Sequence, residues 1–264
     1  MNRLPINRIL LKLEAKTRIM RARPSAILMG MIAMAAFLVI QMLILGVLGL
    51  SNVQFEIPET VTTYDAYVTA MEQLQEQIYT FVENYRPALT SVIIAAALTL
   101  MREMVSVGFS IYALHISREE KAEIGNLMDG FPIFGRVIVL LILRTVIVSL
   151  LMMLFVIPGV IVSYRYRQAL YLLVERPDLS PAGCLRESGR LMRGRKMELF
   201  VLDLSFFGWY LAQIIPLVGS ILAIWVLPYT QITYAGYYCH IAGPRTSSDG
   251  KPYTDAEFTD LPDT

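Results

Sequence analysis

The chain has little of what soluble enzymes are built from. Of its 264 residues only two are cysteine and two are histidine, and acidic and basic residues together make up 17 %. Two thiols, Cys184 and Cys239, far apart in sequence, exclude a disulfide framework and a cysteine metal cluster. His115 and His240 are isolated, and no His/Cys/carboxylate spacing suits a metal ion. A phosphate-cradling glycine loop and a nucleophile elbow are both missing. With a net charge of +1 and a pI near 7.7, nothing points to a nucleic-acid partner. These absences predict a chain that is not an enzyme and carries no cofactor. Intramembrane hydrolysis by Asp203 or Glu103 is the one catalytic alternative left open.

Apolar residues are what the chain has in excess. They account for 55 % of it, and the mean hydropathy is +0.53. They cluster in blocks of roughly 17 to 26 residues, the length that crosses a hydrocarbon core of ~30 Å. The expected class is therefore all-α, a polytopic membrane helix bundle of about six transmembrane segments. Three regions follow: a basic amphipathic helix over 1–25, the bundle over 26–242 with an outer loop at 51–87, and a flexible tail over 243–264.

The first region holds Arg3, Arg8, Lys12, Lys16, Arg18, Arg21 and Arg23 against the single acid Glu14. Ile6, Ile9, Leu10, Leu13 and Met20 recur at helical spacing, so this helix either lies on an anionic leaflet or serves only to orient the chain. The run Ala26 to Leu50 is longer than a signal-peptide core and is expected to be an uncleaved first span. Between Ser51 and Pro87 six acids face one base, Arg86. Tyr64, Tyr67, Met71, Leu74, Ile78 and Val82 keep a helical period there, which predicts an amphipathic helix capping the outer mouth or acting as a lid for a ligand or partner.

Further spans are expected at about 88–113, 136–157, 160–176, 198–213 and 217–241. A turn between the third and fourth is expected at Pro158 and Gly159, since a continuous helix over 136–176 would be about 60 Å long. Ser180 before Pro181 reads as a helix start. Arg186, Arg190 and Arg193 then fall on one helical face, either meeting lipid phosphates or marking a solvated cytoplasmic loop. Counting Lys and Arg, the N-terminus and the loops before the third and fifth spans carry 7, 3 and 6, against Arg86 alone on the other side. The positive-inside rule places both termini in the cytoplasm of a bacterial cell.

The chain resembles a family of bacterial integral membrane proteins, domain-of-unknown-function family 975. The resemblance runs from Gly108 to Tyr238 and rests on DGFPIFGR (129 to 136), IPGVIVSYRY (157 to 166), LRESGRLMRGRKMELF (185 to 200), LSFFGW (204 to 209) and LPYTQITYAGYY (227 to 238). It implies a polytopic membrane fold, no established activity and no transferable site residues.

Ionisable groups inside the apolar blocks are the strongest local signals, because a charge near the bilayer centre costs about 2.5 to 3.5 kcal/mol on insertion scales. Arg102, Glu103, Arg144, Arg165, Arg167 and Asp203 form this candidate intramembrane polar site. Depth counted along the spans matches Glu103 to Arg144, with Asp203 as the alternative carboxylate. The group is either a site for an anionic substrate or headgroup, or a set of ion pairs and snorkelling side chains that hold the bundle. The tyrosines around it read as an interfacial belt. Residues 154–164 and 224–234 share a faint similarity at a spacing of 70, centred on Pro158 and Pro228, which is either a repeat or chance.

Two functions follow. The first is a non-enzymatic membrane component that organises lipid, with anionic headgroups of the cytoplasmic leaflet as partners, or a membrane-protein partner of unknown identity. The second is a small transporter for an anionic or amphiphilic solute.

Overall fold

A computed structural model describes residues 8–50, 64–215 and 218–244. The expected tail beyond Pro244, the first half of the outer loop and Ile6 lie outside the described residues. Every regular element among the described residues is helical. In chain order these are α1 (Arg8–Arg21), α2 (Ala26–Val47), α3 (Tyr64–Asn84), α4 (Leu89–Arg118), α5 (Phe134–Leu154), α6 (Val156–Arg165), α7 (Ala169–Glu175), α8 (Pro181–Leu191), α9 (Lys196–Leu204), α10 (Phe207–Ala212) and α11 (Val218–Ala242), with a single 3-10 turn at Ile124–Leu127.

Three of these, α2, α4 and α5, are long and apolar enough to cross a membrane. The six expected spans therefore reduce to three that stand on length and composition alone. The expected fourth is broken into α6 and α7, of 10 and 7 residues, and the fifth into α9 and α10, of 9 and 6. At 1.5 Å per residue none of these pieces alone matches ~30 Å of hydrocarbon. Helix α11 has 25 residues, but Thr230, Gln231, Thr233 and three tyrosines crowd its second half.

The chain divides into two compact units, residues 35–103 and residues 1–34 with 104–264. In the first, α3 is the helix expected in the outer loop, and it buries none of its residues. Tyr85 beyond its end donates its hydroxyl to the Leu48 carbonyl at 2.9 Å, tying the exit of α3 to the end of α2.

The second unit is built around a core of Leu11, Met192, Leu199, Leu202, Phe206, Tyr237 and Ile241. Helix α1 reaches it by packing Leu11, Ala15 and Ile19, a stripe four residues apart, on α11. Gly236 makes the approach possible, since a Cβ there would stand 3.4 Å from Leu11 and 3.3 Å from the Arg18 guanidinium. The side chain of Lys12 bonds the Ser205 carbonyl at 3.1 Å and lies 4.2 Å over the Phe206 ring. Burial and the charge of Arg8 lower its affinity for a proton. The apolar set read from the sequence, Ile9, Leu10, Leu13 and Met20, stays exposed while another face is buried.

Helices α5 and α6 form a tight hairpin, but the reversal is not at Pro158 and Gly159. It falls at Phe155, whose backbone is extended (φ −151°, ψ 125°) and which ends one helix and begins the next. Pro158 lies in the first turn of α6, where a missing N–H is harmless. Gly159 is buried against Met152 of α5, and a Cβ there would collide with both the side chain and the backbone of that residue. The hairpin is closed at its other end by Arg136, which donates to the Pro177 and Leu179 carbonyls at 2.9 and 2.7 Å.

The return path is broken at Tyr166 to Gln168, and Ser188 of α8 repairs the break. Its hydroxyl accepts the Gln168 N–H at 3.2 Å and donates to the Arg165 carbonyl at 2.8 Å. Such satisfaction is what an interrupted helix needs where water is scarce. The start of α8 is as read from the sequence, with the Ser180 hydroxyl accepting from the Gly183 N–H at 3.2 Å and Pro181 in the first turn. Cys184, buried on α8, has its thiol pushed up to about 11 by that burial, and Cys184 and Cys239 are not joined in a disulfide.

Proline also behaves differently at the two places compared by the 70-residue similarity. Pro158 opens a short helix, whereas Pro228 lies inside the unbroken α11. Gly30 of α2 leaves room for the Pro228 ring, whose Cδ would stand 3.0 Å from a Cβ at that glycine. The two segments are thus not equivalent helix breaks.

Candidate functional site

Four of the six intramembrane candidates form local pairs, one pair within each unit. On α4 the Arg102 guanidinium reaches the adjacent Glu103 carboxylate at 3.2 Å, both side chains half exposed. Glu103 thus has a cation on the same turn of its own helix. Counting depth ignores that a long arginine side chain can fold back on its neighbour.

Asp203 of α9 is the centre of the second group. It accepts the Tyr164 hydroxyl at 2.9 Å and pairs with Arg167 at 3.4 Å. Helix α6 packs on α9, and the turn at its end carries residues 164 and 167 to the same carboxylate. The Arg167 guanidinium also lies 4.9 Å over the Tyr234 ring of α11. Aromatic packing of Tyr164 on Phe200, and of Phe206 on Tyr229 and Tyr234, surrounds the group. The second oxygen of Asp203 is buried with no hydrogen bond among the described residues. The tyrosines here are thus packing and hydrogen-bonding partners of a charge.

Arg144 of α5 lies within electrostatic reach of Arg167 and makes no hydrogen bond or ion pair among the described residues. Asp203, its alternative partner, is held by Arg167 instead. Arg165 is exposed, stacks 5.8 Å from the Tyr166 ring and lies against Gly189 of α8. The structure thus gathers Arg167, Asp203 and, nearby, Arg144, and leaves Arg165 apart from them.

The basic residues of the α8 region divide as well. Arg186, Arg190 and Arg193 are all exposed. Arg190 is bidentate to Glu187, and that contact holds the Glu187 carboxyl below the usual carboxylate range. Arg186 and Arg193 make no side-chain hydrogen bond or ion pair among the described residues. Arg193 lies beyond the end of α8, because the chain turns at Gly194 with φ of 77°, so the three arginines do not share a single helical face.

Sequence reasoning missed the best-buried charge pair. Arg118 at the end of α4 donates to both Glu175 oxygens, at 2.7 and 2.8 Å, and to the Gly243 carbonyl at 2.5 Å. Tyr238 adds a third hydrogen bond to Glu175 at 2.7 Å and stacks on Tyr171. The side chains are 13 % and 4 % exposed, so this is a structural weld between α4, α7 and α11. A hint lay in Glu175 ending an apolar block with no nearby cation but Arg176, which instead pairs with Asp178.

Among the described residues no group of His, Cys, Asp or Glu could hold a metal ion. Neither a curated protein nor a solved structure matches the chain. A family model described as "Protein of unknown function (DUF975)" matches residues 22–244, wider than the blocks read from the sequence and including the first span and outer loop. Several of those blocks have a packing reason here: Gly130 approaches the Met104 carbonyl of α4, Gly159 seats on Met152, and Ser188 and Gly189 contact the end of α6. The chain belongs to the DUF975 family of proteins of unknown function.

Proposed function

We propose that the protein is a non-enzymatic, multi-pass component of the bacterial cell membrane that organises lipid, with both termini cytoplasmic and anionic headgroups held along the α8 region. One observation carries the reading: Arg186 and Arg193 are exposed without side-chain partners among the described residues, whereas Arg102 is paired with Glu103 and Arg167 with Asp203. Guanidiniums left available at a membrane surface suit phosphate, which they bind as planar forks. Exposed apolar side chains on the α5–α6 hairpin, such as Met153 and Ile157, supply the surface in contact with acyl chains. The test is native mass spectrometry of the purified full chain with phosphatidylglycerol. Replacing Arg186, Arg190 and Arg193 by glutamine is expected to remove most of the retained lipid, with thermal stability kept. Unchanged retention would refute the reading.

A second reading, transport of an anionic or amphiphilic solute, is favoured by Arg144, a cation in an apolar helix beside a second cation. In proteoliposomes, Arg144→Leu is expected to abolish flux of such a solute while expression and folding persist if this reading holds. If no flux is found with the intact protein, or the variant retains it, the reading falls.

A further inference from the structure

A cleft of about 490 Å³ lies in the second unit, beside the junction of α1 and α2 and the end of α4. Its size is within the ~300–1,000 Å³ range of small-molecule sites. The charged residues lining it are Glu14, Arg18, Arg21, Arg23, Glu119 and Glu120, three of each sign. The lining comes from α1, the turn before α2 and the end of α4 with the stretch after it, so the cleft adjoins the start of one helix and the end of another that are long and apolar enough to cross a membrane. Headgroups lie at that level of a bilayer.

The charge pattern selects the ligand. An anion alone would meet three carboxylates, and a cation alone would meet three guanidiniums. A phosphodiester joined to a primary ammonium satisfies both, with the phosphate accepting from arginines and the N–H donors reaching the glutamates. Glu14 and Arg18 are only loosely paired, at 3.8 Å, and Arg21 and Arg23 make no side-chain hydrogen bond or ion pair among the described residues.

The backbone presents the acidic edge deliberately. Helix α4 ends with Glu120 N–H bonded to the His115 carbonyl and Glu119 N–H to that of Ile116, the pattern that normally carries glycine at the left-handed position. Here Glu119 occupies it, with φ of 63°, and turns into the cleft lining. On α1, at 100° per residue, the exposed Leu13 and Met20 flank the cleft residues on the side away from the buried stripe. Acyl chains of a lipid would lie there, which favours a lipid over a free headgroup.

We infer that this cleft binds the zwitterionic headgroup of an aminophospholipid, phosphatidylethanolamine in chemical class. The inference rests on the lipid-organising reading and adds a second site with a different headgroup preference. The experiment is native mass spectrometry of the full-length protein with an equimolar mixture of phosphatidylethanolamine, phosphatidylcholine and phosphatidylglycerol. Phosphatidylethanolamine is expected to be retained in preference to phosphatidylcholine, whose quaternary nitrogen has no N–H, by roughly tenfold. Glu119→Gln with Glu120→Gln is expected to erase that preference, and Arg21→Gln with Arg23→Gln to remove the bound lipid. Equal retention of the two zwitterions by the intact protein would overturn the proposal, as would unchanged preference in both variants. Glycerophosphoethanolamine binding as tightly as the lipid would overturn the lipid source. Phosphatidylglycerol retention that still depends on Arg186, Arg190 and Arg193 would show that the parent reading survives such a failure.

Discussion

Replacing Glu175 with alanine is expected to lower the thermal unfolding midpoint of the purified protein more than removal of any other described ion-pair carboxylate. The side chain is 4 % exposed and holds both nitrogens of the Arg118 fork together with the Tyr238 hydroxyl. Removing it leaves a guanidinium buried against α7 and α11 with its fork unfilled. Breaking one side of a buried pair costs about 3–5 kcal/mol, because the remaining charge is neither hydrated nor neutralised. The comparison is Glu187→Ala, which removes a carboxylate from the exposed Arg190 and should cost far less. Adding Arg118→Met to Glu175→Leu is expected to recover much of the loss, since an apolar pair carries no desolvation penalty. A Glu175→Ala protein melting with the parent would show that the weld contributes nothing.

The second large effect is expected at Gly159. Alanine there puts a methyl group into the side chain, Cα and amide nitrogen of Met152; the side chain can turn aside, but the two main-chain atoms cannot move without shifting the α5 backbone. Overpacking of this kind costs about 1–3 kcal/mol where neighbours can yield, and more where they are main chain. Gly159→Ala should therefore lower the melting temperature and expose the α5–α6 hairpin to proteolysis near Phe155. Gly135→Ala is the control, because nothing lies within 4 Å of a Cβ at that position. Equal stability of the two variants would mean that α6 does not depend on close contact with α5.

The long apolar helices were legible because length and composition suffice: the blocks beginning at Ala26 and near Ala88 and Arg136 are α2, α4 and α5. So was α3, from its three-to-four residue period, and the start of α8, from Ser180 and Pro181. Pro158 and Gly159 signalled a break correctly but misplaced it. Proline is tolerated in a first turn, and the glycine answers a packing demand from Met152 that no local rule contains. Pairing was the least legible. Arg118 and Glu175 are 57 residues apart, and Asp203 finds Tyr164 and Arg167 only because α6 folds onto α9. Depth along a span says which charges are costly; it does not say which neighbour neutralises them.

Ser188 has a consequence for how this fold is assembled. One hydroxyl of α8 supplies both the acceptor and the donor that the interrupted return path lacks between Arg165 and Gln168. Without α8 docked, the Arg165 carbonyl and the Gln168 N–H lose this partner. The second limb of the α5 and α6 hairpin is thus completed by a later part of the polypeptide, which couples the two segments in the folded chain.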